Sequence, residues 1–467
     1  MNQVRILGVG AGAPSLRLLT ADVNAAWDRK GGRGQAGLCG SDEDSLTLAW
    51  DAATAAIDAA GLDAGVIDGL WWGTSRPPFL DGPSHAILSS ALGLAPHVAG
   101  ILCSGSPHSG IEALLASADA IKAGSARFAL VVASDDLRPA PGSSYETRAG
   151  AGAAAFVLAD EGGGARIVSR VTRSRPLLDR YRGDGDTSQR DIYDGRLFRE
   201  RIFLPLVAEV TDALAGEDIS SWSVPDPDGR LGSVVAKRAK APNLTCAPIY
   251  SELGDTGAAA AMLGIIGGLA DIGTSAAVAY GGGRATAVLF ETELPVAGTE
   301  HLASALREGK PVSYSKALRV RSQLIAGGET VPMGVPPESA LFVRGAEEML
   351  QLLGGRCVDC GTINTPPSIH PHCANCGGPK LEAVQLARQG TVHTFVINYT
   401  MPAPFEAPLP IAVLDLDDGS RIMLQVANDG SQVEIGRRMR LVLRKYAHER
   451  GVPVYGFKAQ PITESQS

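Results

Sequence analysis

Among the 467 residues, aromatics are scarce (5%) and no apolar stretch is long. The longest apolar run, residues 258–270, is too short and too rich in glycine to span a bilayer. No cluster of lysine and arginine stands out, and the formal charge is −8, so the electrostatic footprint of nucleic-acid binding is absent. Cysteine is sparse and odd in number, seven in all, with four gathered in one short segment. That pattern fits reduced thiols plus a metal site better than a disulfide framework. The opening MNQVRILGVGAG lacks a charged region followed by a long apolar one, so it reads as a first β-strand, and a cytoplasmic location is expected.

Glycine (56 residues) and alanine are plentiful, as in tightly packed α/β folds, and the length favours two or more domains. Over residues 1–160 strand and helix patterns alternate. VRILGVGA, GLWWGTS, AGILCSG, FALVVASD and AAAFVLAD are short apolar runs bounded by Gly, Ser or Asp, the mark of buried strands. SDEDSLTLAWDAATAAIDAAG and SGIEALLASADAIKAG read as helices with glycine stops. Residues 165–295 repeat the layout: a strand in RIVSRVTRS, a helix in RERIFLPLVAEVTDALAG, a strand in SWSVPDP, a helix after GDTG, and two strands joined through Gly281, Gly282 and Gly283. Two successive α/β halves suggest an internal duplication. Residues 296–350 are more polar and read as a helical linker, and from about Gly390 five or so short strands with DDG, NDG and ERG turns suggest a small barrel.

Cys357-Val-Asp-Cys360 and Cys373-Ala-Asn-Cys376 are two CxxC pairs twelve residues apart. Each pair can present two thiolates from a tight knuckle, aided by Gly361 and Gly377, and two knuckles complete a tetrahedral four-sulfur shell suited to zinc. A closed shell of this kind has a structural role. His370 and His372, between the pairs, read as loop residues.

Five motifs, GLWWGTSRPPFLDGPSHAILSSALGL, SGIEALLASADAIKAGSARFALVVASDD, AGAGAAAFVL, GDTGAAAAML and AYGGGRATAVLF, resemble the thiolase superfamily, in the order and spacing of HMG-CoA synthase and ketoacyl-ACP synthase III. The segment from RCVDCG to QGTVHTFVINY resembles the acyl-CoA-associated zinc-ribbon/OB-fold family. The resemblance implies a duplicated thiolase-like fold, layered αβαβα, over residues 1–295; a helical linker over 296–350; a zinc ribbon over 351–385; and an OB-fold β-barrel over 386–467. It also implies structural zinc on the four cysteines and a coenzyme A thioester as substrate, handled by an acyl-CoA lyase or acyltransferase. As partners it implies acyl-CoA and a homodimer or a hetero-oligomer with a thiolase subunit, with neither nucleic acid nor membrane.

In that family a cysteine at a helix N-terminus takes the acyl group, its pKa lowered by the helix dipole. The nucleophile precedes the Ala-Leu of the following helix by six residues, and Ala113-Leu114 sends that position to Pro107. The family's strand-end histidine maps onto Asp226, its asparagine onto Asp255, and the glutamate of HMG-CoA synthases onto Ser75. Four departures together imply chemistry without an acyl-cysteine. His108, Asp226 and Asp255 are the candidate acid–base residues, each with a simpler reading as a helix cap or turn residue. Gly281, Gly282 and Gly283 either offer backbone amides to a ligand's oxyanion or form a tight turn. Cys103 is the nearest other thiol and reads as a packed residue, as do Cys39 and Cys246. The expected function is carbon–carbon bond formation or cleavage on acyl-CoA, of retro-aldol or thiolase type. The alternatives are a non-catalytic subunit of a thiolase complex whose zinc-ribbon/OB part handles CoA, and a condensing acyltransferase like HMG-CoA synthase.

Overall fold

The computed structural model describes residues 3–190, 194–324, 340–401, 405, 407–428, 432–449 and 452–462. It divides into two compact units. The first comprises Met1–Cys39, Asp44–Ser89 and Leu94–Ile325; the second comprises Ala326–Ser467 with the short segments Gly40–Glu43 and Ser90–Gly93.

The first unit is built on a nine-stranded mixed sheet whose strands run, in spatial order, Ala99–Ser104, Gly69–Thr74, Ala129–Asp136, Ala151–Ala159, Arg5–Gly12, Ala165–Ser174, Arg284–Thr292, Gly273–Gly281 and Ser221–Ser223. Strands Ala129–Asp136 and Ala151–Ala159 are buried along their whole length, which explains their unbroken apolar sequences. The duplication is visible in the pairing. Gly69–Thr74 runs parallel to Ala129–Asp136, which is antiparallel to Ala151–Ala159, itself antiparallel to Arg5–Gly12. Ser221–Ser223, Gly273–Gly281, Arg284–Thr292 and Ala165–Ser174 repeat that sequence of orientations.

Helix Ser45–Ala60 starts at a capping box in which Asp44 accepts from the amides of Leu46 and Thr47, and it ends at Gly61 in the left-handed region (φ 65°). Helices Ser109–Ala123 and Ala259–Gly268 occupy the same place in the two repeats, each between the two parallel strands of its half, and share one apolar core. They meet closely at their starts: a Cβ added at Gly110 would lie 2.1 Å from the carbonyl oxygen of Ala258. Residues 296–324, expected to begin a linker, carry helices Glu300–Arg307 and Tyr314–Val320 and belong to the first unit. There Lys310–Pro311 pairs in parallel with Leu16–Arg17. Residues 325–339 of the expected linker lie outside the described residues.

In the second unit, strand Leu353–Cys357 is flanked by Ile363–Asn364 and Leu381–Gln385 in a three-stranded antiparallel sheet. A five-stranded sheet follows in the order Arg421–Gln425, Leu409–Leu416, Gln389–Asn398, Arg438–Glu449, Val452–Pro461, and a bridge between Val426 and Ala459 nearly closes it into a barrel. Ala412, Leu414, Met439, Leu443 and Ala459 fill its interior. Among the described residues no helix is long and apolar enough to cross a membrane.

Candidate functional site

A cavity in the first unit encloses about 670 Å³ of empty space, its open mouth included. Its walls come from both repeats. Pro107 sits in the turn before helix Ser109–Ala123, Ser223 to Pro225 leave the strand Ser221–Ser223, and Asp255 and Gly257 lead into helix Ala259–Gly268. Val278 to Gly281 end the strand Gly273–Gly281, and loops bring Tyr145, Asp179 and Arg180. Pro107, which the spacing of the sequence set at the place of the resembled family's thiol, lines the cavity. None of the described residues lining it is a cysteine. Cys103 is on the strand Ala99–Ser104, and burial pushes its thiol above the usual range, the opposite of activation.

The strongest polar feature is a pair. The Tyr145 hydroxyl donates to Asp255 Oδ2 at 2.6 Å, and the amide of Gly257 donates to Asp255 Oδ1 at 3.0 Å. Both side chains are buried, Asp255 to 7% exposure. Burial raises the Asp255 pKa against the opposing pull of the Tyr145 hydrogen bond. Burial, then the Asp255 charge, raises that of Tyr145 well above the ordinary phenol. The guanidinium of Arg180 lies over the Tyr145 ring, 3.7 Å from its centroid. A loop of the first repeat thus delivers a phenol to a carboxylate of the second, and the two segments are tied by a backbone bridge between Ala149 and Asp255.

The other expected site residues part company. His108 is 1% exposed and does not line the cavity. Its Nε2 is 2.8 Å from Thr286 Oγ1, and Nδ1 is 3.3 Å from Glu112. Burial first, then the Arg284 charge, holds its pKa down at about 3. Its base role finds no support in this placement, because the ring is turned toward the strand Arg284–Thr292. Asp226 lines a neighbouring cavity; its Oδ1 accepts from the amide of Gly232 in helix Leu231–Ala239, and burial raises its pKa. Of the three glycines, only Gly281 lines the main cavity. Gly282 and Gly283, with φ of 58° and 72°, make a two-residue turn between paired Gly281 and Arg284, and the Gly282 amide donates to Asp179 Oδ2 at 3.1 Å. That amide is already occupied by a side chain of the protein.

The neighbouring cavity shares Val224 and Tyr250 with the main one and adds Arg33, Arg148 and Asp226. Behind the main cavity lies a buried carboxylate that the sequence did not advertise. Asp135 Oδ1 accepts from Thr74 Oγ1, the Ser75 amide and the Arg76 amide, and Oδ2 from Ser75 Oγ and the Ala258 amide. Burial outweighs these five donors and raises its pKa to about 6.

In the second unit the four cysteines converge, all four sulfurs lying within 4.8 Å of one another. Cys357 and Cys376 are 3.5 Å apart, and Cys360 and Cys373 3.6 Å. Two matching knuckles hold them: the amide of Gly361 donates to Cys357 O, and that of Gly377 to Cys373 O. Tetrahedral zinc with bonds of about 2.3 Å needs sulfur–sulfur edges of about 3.8 Å, so the donor set fits that ion. His370 and His372 lie outside the cluster. Asn364 braces it, donating to Gly355 O and accepting from the Ala374 amide.

Comparison with known proteins places both units. Residues 350–382 match the family of the ChsH2 rubredoxin-like zinc ribbon domain, and residues 383–444 that of the ChsH2 C-terminal OB-fold domain. The chain is 30% identical over 162 residues to the hydroxymethylglutaryl-CoA synthase of Pyrococcus furiosus, 34% of this chain and 46% of that protein. It is 29% identical over 190 residues to the hydroxymethylglutaryl-CoA synthase of Pyrobaculum arsenaticum, 39% of this chain and 54% of that protein. It thus spans about half the length of the curated relatives it matches. Among solved structures, MvaS in complex with 3-hydroxy-3-methylglutaryl coenzyme A aligns with a TM-score of 0.59 at 18% identity, over 72% of this chain and 95% of that one. The 3-oxoacyl-(acyl carrier protein) synthase III FabH of Pseudomonas aeruginosa aligns with 0.55 at 21%, over 62% and 99%. The chain joins a thiolase-like α/β fold to a zinc ribbon and an OB-fold barrel.

Proposed function

We propose that this chain is an acyl-CoA enzyme of the thiolase superfamily that makes or breaks a carbon–carbon bond without an acyl-cysteine, with Asp255 and Tyr145 as its acid–base pair. The observation that carries this reading is the 2.6 Å hydrogen bond between them inside a cavity where Pro107 occupies the place of the thiol. In the cleavage direction, the proton of a substrate β-hydroxyl passes to the Asp255 carboxylate, relayed by the Tyr145 hydroxyl. The carbon–carbon bond breaks, its electron pair moves into the thioester as an enolate, and protonation of the α-carbon gives a shorter acyl-CoA and a carbonyl product. Condensation is the reverse. His108 and Asp226 have supporting parts, one linking the first helix start to the strand Arg284–Thr292, the other fixing the start of helix Leu231–Ala239.

Arg33 and Arg148 support CoA as the carrier. They line the neighbouring cavity, which shares Val224 and Tyr250 with the main one, and two guanidiniums there can meet phosphates. Cys357, Cys360, Cys373 and Cys376 hold a structural zinc ion that organises the ribbon.

The test is turnover of 3-hydroxyacyl-CoA thioesters by the purified full chain, with products identified by mass spectrometry. Cleavage into a shorter acyl-CoA and an aldehyde or ketone, with no acyl adduct in the intact mass, supports the reading. An adduct, or turnover that persists unchanged in Asp255→Asn, overturns it. Metal analysis tests the second unit: one zinc ion per chain is expected, lost together with ribbon structure in Cys357→Ser.

A further inference from the structure

Arg180 follows Asp179 in the loop after strand Ala165–Ser174, and it is the one cation among the described residues that line the main cavity. The residue is partly exposed. Two contacts hold it: Nη1 donates to Pro227 O at 3.3 Å, and the guanidinium carbon lies 3.7 Å from the centroid of the Tyr145 ring. The Tyr145 hydroxyl is itself on Asp255, so the cation stands one ring away from the proposed base. Its charge opposes the rise in pKa of Asp255, Tyr145 and Tyr280 alike, so its field reaches across the cavity.

The rest of the wall offers a developing anion little. Its carboxylates are Asp179 and Asp255, and burial raises the pKa of both. Several of its donors are already engaged: the Tyr145 hydroxyl and the Gly257 amide on Asp255, and the Tyr280 phenol on Asp179. We infer that the Arg180 guanidinium receives the thioester carbonyl oxygen and stabilises the enolate charge that forms on it. The inference rests on the acyl-CoA reading above and narrows it. The cavity then takes a β-oxygenated acyl thioester, its β-oxygen at Tyr145–Asp255 and its carbonyl oxygen at Arg180. As the carbon–carbon bond breaks, its electron pair moves through the α-carbon onto that oxygen. A guanidinium attracts the charge of an enolate oxygen far more than the partial charge of a carbonyl, which is the differential that lowers a barrier.

Acetoacetyl-CoA tests this, because its enolate absorbs in the ultraviolet where the keto form does not. Forming the enolate sends the α-proton to solvent and the electron pair onto oxygen, so the readout is an equilibrium that needs no turnover. The full chain should bind acetoacetyl-CoA with a larger enolate-to-keto ratio than the free thioester has at the same pH. Arg180→Gln should lower the bound ratio about tenfold or more, with the circular dichroism spectrum and CoA affinity held. Arg180→Lys keeps the charge but not the planar fork over Tyr145, and should keep most of the signal. Three results overturn the role of Arg180 and leave the acyl-CoA reading standing: no rise in the wild-type chain with acetoacetyl-CoA bound, an unchanged ratio in Arg180→Gln, or an equal loss in both variants. A wild-type chain that binds neither CoA nor acetoacetyl-CoA overturns both.

Discussion

Helices Ser109–Ala123 and Ala259–Gly268 hold equivalent places in the two repeats and nearly touch where they begin, yet their starts are chemically opposite. Before the first stand Pro107, which has no N–H to offer, and His108, whose ring reaches away to Thr286. Before the second stand two carboxylates, Asp255 accepting from the Gly257 amide and Asp135 from the Ala258 amide. A helix N-terminus favours negative charge. The first helix start therefore presents no carboxylate to the cavity, while the second meets two, Asp255 from its own repeat and in the cavity wall, and Asp135 from the strand Ala129–Asp136 of the first repeat.

The largest effect expected from this asymmetry is on turnover. Asp255→Asn should lower kcat for a 3-hydroxyacyl-CoA by about 10²–10⁴-fold, the usual contribution of a positioned acid–base group, with CoA affinity retained. Steady-state kinetics across pH sharpens the point. Asp255 must be ionised to accept a proton, and its pKa is raised by burial, so kcat should climb with pH through a limb above the ordinary aspartate value of about 3.9. That limb should vanish in Asp255→Asn. An intact limb in the variant places the base elsewhere and breaks the contrast between the two helix starts.

Next in size is the stability held by Asp135. In Asp135→Asn, Oδ1 can still accept from Thr74, Ser75 and Arg76, and the Ser75 hydroxyl can reverse, but the Ala258 amide then faces an amide nitrogen. One orphaned buried N–H costs about 1–3 kcal/mol, readable as a lower urea midpoint. The pH dependence has a defined sign. The folded-state pKa, raised to about 6, lies above the unfolded value, so the folded chain binds the proton more tightly. The group's contribution is fully present below about pH 4 and is lost as pH rises through 6. The variant should lack that slope.

Much of this architecture is legible in the sequence, and what escapes does so for physical reasons. Strands such as Ala129–Asp136 are buried on both faces and write themselves as apolar runs, and the four cysteines declare themselves by spacing. GDTG before an alanine-rich helix singles out Asp255, and the fold puts that side chain in the cavity wall. Asp226, in the comparable PDPDG, reads the same way, and only the fold shows its carboxylate engaged on Gly232. Tyr145 and Arg180 carry no local signal. Both sit in loops, and the Tyr145–Asp255 pair joins residues 110 positions apart across the two repeats. The strand Leu16–Leu19 is too short for alternation to mark it, and its partner Lys310–Pro311 is remote in sequence.

The smallest expected effect bears on His108, and it is the one most able to overturn the comparison. The ring belongs to a short chain of hydrogen bonds, Nε2 to Thr286 Oγ1 at 2.8 Å and Thr286 Oγ1 to Thr172 Oγ1 at 2.9 Å. His108→Gln should therefore cost about 1 kcal/mol of stability, the net worth of one hydrogen bond, and leave kcat within about twofold. The stability deficit should itself depend on pH. Because the folded-state pKa is depressed to about 3, the wild-type ring stays neutral in the fold while the unfolded chain takes up a proton below about 6.5. The native histidine therefore favours folding most above that value and progressively less as the solution is acidified. Urea unfolding of both proteins at pH 8 and pH 5 should show the gap narrowing at the lower pH. A hundredfold fall in kcat at pH 8, with the unfolding midpoint little changed, would return the proton chemistry to the first helix start and end the asymmetry between the repeats.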